Sequence, residues 1–157
     1  MDNTHTAEKI LRGGEFLVSE TDPSQVFIKE DFTEEQNMVL SMVDDFVQKK
    51  VLPVSDQIEK LDIDLTKKLM KEAGELGLLG TAFPEEYGGF MQSFETNMAL
   101  TERLAMTRSF SLSHGAHTGI GMLPILYFGT EAQKSKYLPS LVAGDTFAAY
   151  CLTEPTS

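Results

Sequence analysis

Helix-opening and helix-closing residues divide most of this chain into short segments, and within each segment the apolar side chains recur at three- and four-residue spacing. Thr33-Glu34-Glu35-Gln36 has the form of a capping box, in which a Thr hydroxyl caps the helix and the Gln side chain reaches back. Met38, Val39, Met42, Val43, Phe46 and Val47 follow as one apolar stripe. Lys49 and Lys50 sit where cations suit the end of a helix dipole, and Pro53 then kinks this helix or begins the next. A second stripe, Leu65, Leu69, Met70, Ala73 and Leu76, is expected to follow a cap at Asp64 and to end at Gly77. Ser93 is placed to cap a helix carrying Phe94, Met98, Ala99 and Ala105. Another helix is predicted from about Ser109 to Phe128, stopped by Gly129. Thr130-Glu131-Ala132-Gln133 is a second capping box, opening a helix with Tyr137, Leu138 and Leu141 before a turn at Gly144-Asp145. This pattern predicts an all-α domain, a bundle of five or six helices.

Three stretches do not follow it. Residues 1–30 show little period and contain Gly13, Gly14, Asp22 and Pro23, so an extended or loosely packed arm is expected. Leu78 to Phe90 contains Pro84, Gly88 and Gly89 and reads as an irregular connection, with Tyr87 and Phe90 packing it. Phe147 to Thr153 is short, apolar and aromatic, and reads as a strand. A lone strand after a helical bundle has no partner for its backbone groups, so either it pairs with another chain or, as the better reading, the natural protein continues past Ser157. The expected organisation is an arm over 1–30, a helical domain over 31–146, and the start of a β domain over 147–157.

Charge narrows the partners. Asp and Glu outnumber Lys and Arg by 24 to 13, for a net charge of −11. Such a surface repels nucleic-acid phosphates and anionic lipid headgroups, so neither nucleic-acid binding nor membrane insertion is expected. Cys151 is the single cysteine, which rules out an internal disulfide and fits a reducing compartment. The N-terminus has no apolar signal core and no apolar run is long enough to span a bilayer, so the expectation is a soluble, cytoplasmic protein.

Several motifs, taken in order, resemble one family. Tyr150-Cys151-Leu152-Thr153-Glu154-Pro155 resembles the Leu/Val-Thr-Glu-Pro signature of acyl-CoA dehydrogenases. Gly129-Thr130-Glu131-Ala132-Gln133-Lys134 with Tyr137-Leu138-Pro139 is similar to the family's helix leading into that segment. Pro84-Glu85-Glu86-Tyr87-Gly88-Gly89 resembles its Pro-x-x-x-Gly-Gly connection, and Ser113-His114-Gly115-Ala116-His117 looks most like the very-long-chain branch.

The resemblance implies an N-terminal helical domain of an FAD-dependent oxidoreductase acting on fatty acyl-CoA, with electron-transfer flavoprotein as electron acceptor and homo-oligomeric assembly. It implies that Tyr150, Leu152 and Thr153 lie against the flavin. A hydroxyl and a backbone N–H at Thr153 would stabilise negative charge arriving on the flavin. The family's catalytic glutamate comes from a C-terminal bundle, so no catalytic residue is expected in this chain. Leu112, Ser113, Ala116 and Ile120 fall at i, i+1, i+4 and i+8 on one helical face, beside which the family's acyl chain runs. A close helix crossing would also call for small residues there. An acyl-CoA oxidase of the same fold and a non-catalytic helical interaction module are the alternatives.

Other signals carry less weight. His114 and His117 stand three apart but lack a third ligand, and are expected to be packing histidines. Gly119-x-Gly121 lacks the preceding strand and third glycine of a dinucleotide fingerprint. Ser113 has histidine neighbours but no orienting acid, and Glu154 reads as support for the turn at Pro155.

Overall fold

Thr33 forms the capping box that its sequence predicts: its amide donates to Gln36 Oε1 at 2.9 Å and its hydroxyl oxygen accepts the Gln36 amide at 3.2 Å. The computed structural model describes residues 14–156 and divides the chain into two compact units, Met1–Asn37 and Met38–Ser157. Gly13 and Ser157 lie outside the described residues.

The first unit is built from single 3-10 turns at Glu15–Leu17, Pro23–Gln25 and Lys29–Asp31. Asp22 caps the middle one by accepting the Ser24 amide at 2.9 Å, and Pro23 occupies a first-turn position where its missing N–H costs nothing. The rings of Phe27 and Phe32 meet edge to face at 5.2 Å. Where it is described, the arm is a series of single turns.

The second unit is helical. Helix α1 (Glu34–Phe46) runs through one π turn (Val47–Val51) and a 3-10 turn (Leu52–Val54) into the short α2 (Ser55–Glu59). Pro53 sits in the first turn of that 3-10 segment, where no amide is required of it. Leu40, Val43, Phe46, Val47 and Val51 face the core, whereas Met38 is exposed. Helix α3 spans Ile63–Glu75, and its cap is Asp62, not Asp64: the Asp62 carboxylate accepts the Leu65 amide at 3.0 Å. Asp64 instead lies in the first turn, where its charge meets the positive end of the helix. Gly77 takes the left-handed conformation (φ 78°) that ends this helix.

Helix α4 (Phe94–Ala105) is capped by Ser93 as expected. Its buried face is Thr96, Ala99, Leu100 and Leu104, while the predicted stripe members Phe94, Met98 and Ala105 are exposed. The predicted helix from Ser109 to Phe128 is two helices, α5 (Ser109–Ala116) and α6 (Leu123–Phe128), joined through a π turn at His117–Gly121. Helix α7 (Glu131–Val142) opens on the Thr130 capping box.

The connection from 78 to 92 is irregular but not superficial. Leu78, Leu79, Thr81, Phe83 and Tyr87 are all buried. Its backbone groups are satisfied internally, with the amides of Phe90, Met91 and Gln92 donating to Gly80, Phe83 and Thr81 carbonyls at 3.2, 3.1 and 2.6 Å. That internal pairing is what allows a loop to enter a core. Phe83, Tyr87, Met122, Leu138, Leu141 and Val142 form one apolar cluster around it.

No strand forms among the described residues, so the strand expected over Phe147–Thr153 is corrected to an irregular segment. A strand needs a neighbouring backbone to share its hydrogen bonds, and none lies beside this one among the described residues.

Candidate functional site

A cavity of 390 Å³ opens where three parts of the second unit meet. Helix α5 contributes Ser113 and Ala116, α2 and α3 contribute Ile58 and Met70, and the segment after α7 contributes Phe147, Ala148 and Ala149. The lining is mainly apolar, with Lys67 as its charged member, and no carboxylate lines it among the described residues.

Helix α5 is positioned from outside itself. Its first residue, Ser109, gives both its amide and its hydroxyl to the Glu59 carboxylate at 3.0 Å each. These two bonds, the amide first, hold the Glu59 carboxyl below its ordinary pKa. A helix start is rich in unsatisfied N–H groups, so a carboxylate there serves both hydrogen bonding and the dipole.

The four residues predicted to share a face separate here. Ser113 and Ala116 line the cavity. Leu112 and Ile120 do not, and their side chains are 72% and 56% exposed. The π turn explains Ile120: its hydrogen bonds span one residue more than those of an α-helix, so the face carried by Ser113 and Ala116 does not continue to it.

Both histidines are buried and engaged. His114 Nε2 lies 3.2 Å from the Leu78 carbonyl, tying α5 to the buried connection. Burial pushes its pKa down to about 4. His117, in the π turn, has Nε2 3.1 Å from the Leu141 carbonyl, while its Nδ1 accepts the Ala148 amide at 3.0 Å. A backbone amide only donates and a carbonyl only accepts, so the ring is neutral with its proton on Nε2. Burial also pushes the His117 pKa down. No local pattern signals this arrangement, because its partners lie 24 and 31 residues away.

Beyond Ala148 the chain lies open. Tyr150 and Leu152 are 55% and 70% exposed, and Cys151 and Thr153 are exposed as well. Among the described residues, no hydrogen bond engages the backbone of 149–153. Two apolar side chains, a hydroxyl and a run of uncommitted amides and carbonyls thus stand together.

The helical domain has known relatives. Residues 33–145 match the family model described as acyl-CoA dehydrogenase, N-terminal domain. The chain belongs to the acyl-CoA dehydrogenase family. A probable acyl-CoA dehydrogenase of Bacillus subtilis is 46% identical over 151 residues, covering 96% of this chain and 25% of the relative. The crystal structure of acyl-CoA dehydrogenase complexed with FAD from Bacillus anthracis is 47% identical, with a TM-score of 0.85, covering 94% of this chain and 25% of that one. The very long-chain specific acyl-CoA dehydrogenase of Rattus norvegicus mitochondria is 41% identical over 104 residues, covering 66% of this chain and 15% of the relative. This acyl-CoA dehydrogenase domain therefore spans about a quarter of the length of the first two.

Proposed function

We propose that the protein oxidises a saturated fatty acyl-CoA thioester to the trans-2-enoyl-CoA with FAD as cofactor, and that this chain supplies one wall of the acyl site and one contact strip for the flavin. The observation that carries this reading is a shared boundary. Phe147, Ala148 and Ala149 line the apolar cavity, and the exposed strip Tyr150–Thr153 begins with the next residue.

FAD, when bound, would supply the hydride acceptor. Tyr150 and Leu152 offer it apolar surface that is otherwise costly to leave in water. Thr153 offers a hydroxyl and a backbone N–H, two fixed donors suited to a ring edge that gains negative charge. Ser113 and Ala116 present small side chains to the cavity, which leaves width for an extended tail of the very-long-chain kind. The base that takes the proton from the carbon beside the thioester is assigned to another part of the protein, as the family resemblance implies. Electron-transfer flavoprotein as acceptor and a homo-oligomeric enzyme complete the reading.

The test is product analysis with the protein made from its native gene. Incubated with a saturated long-chain acyl-CoA and an artificial electron acceptor, it should yield a product lighter by two hydrogens with a trans-2 double bond. Unchanged acyl-CoA would refute the assignment, and hydrogen peroxide produced in stoichiometric amount without the added acceptor would favour the oxidase.

A further inference from the structure

The strip proposed to meet the flavin is joined to the helical domain at very few points. Asp145 and Thr146 donate their amides to the Ser140 carbonyl at 2.9 and 3.2 Å, which turns the chain at the end of α7. The next hydrogen bond is the Ala148 amide to His117 Nδ1, and none follows in 149–153 among the described residues. Ala148 is thus the last fixed backbone point before Tyr150, two residues on. At no more than about 3.6 Å of reach per residue, that point strongly limits where Tyr150 can lie.

His117 is built to hold it. The ring is 2% exposed, and its Nε2 is bonded to the Leu141 carbonyl at the end of α7. Its edge packs on Phe147, with ring centroids 5.7 Å apart and planes at 67°. One imidazole therefore joins three parts of the domain: the π turn that carries it, the end of α7 and the departing segment. Single π turns are uncommon and cluster at functional places.

Gly121 closes the same turn and gives independent support. A Cβ there would stand 2.7 Å from the Ala148 Cβ and 3.0 Å from its carbonyl carbon. The departing backbone passes so close that only a glycine leaves it room. His117 holds Ala148 by a hydrogen bond, and Gly121 leaves it the space to be held.

We propose that His117 is a positioning residue for the flavin strip, fixing Tyr150, Leu152 and Thr153 through the Ala148 amide; the inference rests on the functional reading above. The role does not require His117 to touch cofactor or substrate.

Two amide variants separate this role from simple packing. In His117→Asn the side-chain oxygen can take the place of Nδ1 and still accept the Ala148 amide, while the bond to Leu141 is lost. In His117→Gln the side-chain nitrogen can take the place of Nε2 and donate to Leu141, while the bond to Ala148 is lost. Each variant forfeits one buried hydrogen bond, so the two should lose similar thermal stability.

The experiment measures the FAD dissociation constant and the visible circular dichroism of bound flavin in the protein made from its native gene. His117→Gln should weaken FAD by about tenfold and change the flavin dichroism, as the loss of one well-placed hydrogen bond would do. His117→Asn should remain near wild type in both. Gly121→Ala, which keeps the His117 side chain and whose added Cβ would press on Ala148 and on the Ala116 carbonyl, should weaken FAD in the same way and covers the case in which the glutamine variant does not fold. Equal behaviour of the Asn and Gln variants, or a Gly121→Ala protein with unaltered FAD affinity, would overturn the positioning role alone. A folded wild-type protein that binds no FAD would overturn the functional reading, and this inference with it.

Discussion

The Glu59 carboxylate receives both the amide and the hydroxyl of Ser109, 50 residues away, and so caps a helix to which it does not belong. The residue in the cap position itself, Arg108, makes no side-chain cap and holds a positive φ of 54°. Glu59→Ala should therefore lower the melting temperature and loosen α5, seen as faster hydrogen exchange at its first-turn amides. Glu59→Gln should retain part of the effect. Because the Glu59 pKa is held below its ordinary value, its contribution is present above the unfolded carboxyl pKa and is lost as pH falls through the folded one. An unchanged exchange profile in the alanine variant would show that the cap does not hold the helix.

His114 predicts a second pH dependence at higher pH. Its folded pKa is about 4 against an ordinary 6.5, with burial as the main cause. Between those values the unfolded chain binds a proton that the folded chain does not. Stability from this group is therefore full above pH 6.5 and declines toward pH 4, by on the order of 3 kcal/mol. Urea unfolding across that range should show the slope, and His114→Gln should flatten it. A slope that persists in the variant would assign it to other groups.

Phe83 is fully buried in the cluster that also contains Tyr87, Met122, Leu138 and Val142. Phe83→Ala should cost about 3–5 kcal/mol, the usual range for emptying a buried aromatic site. Denaturant midpoints check this, and a loss below about 1 kcal/mol would mean that the connection collapses into the space.

Ala116 stands on the cavity wall. Replacing it with Phe should fill part of the 390 Å³ and move substrate preference toward shorter acyl chains, with kcat/KM falling most for the longest. An unchanged chain-length profile would remove Ala116 from the acyl site.

Much of the helical layout was legible because caps are local. Thr33, Ser93 and Thr130 each bond a backbone group three residues on, so a short window contains the whole signal. Asp62 and Asp64 both offer a cap within such a window, and only the chain's path chose between them. Which face turns inward is less local. Met38, Phe94 and Met98 continue apolar stripes yet are exposed, because the elements packed on each helix decide its buried side. The strand expected over Phe147–Thr153 failed for a related reason, since strand character needs a partner that local sequence cannot supply.

The candidate site divides the same way. Ser113 and Ala116 share a cavity wall as helical spacing suggests, whereas a π turn, which leaves no periodic mark, separates Ile120 from that face. The role of His117 was hidden because its partners come from α7 and the segment beyond it.

As proposed, this domain belongs to a protein that oxidises acyl thioesters through a flavin. The most direct measurement is a visible absorption spectrum of the protein made from its native gene, before and after anaerobic addition of a saturated long-chain acyl-CoA. A flavin band that bleaches on addition is the expected result. A folded, colourless protein that fails to take up added FAD would contradict it.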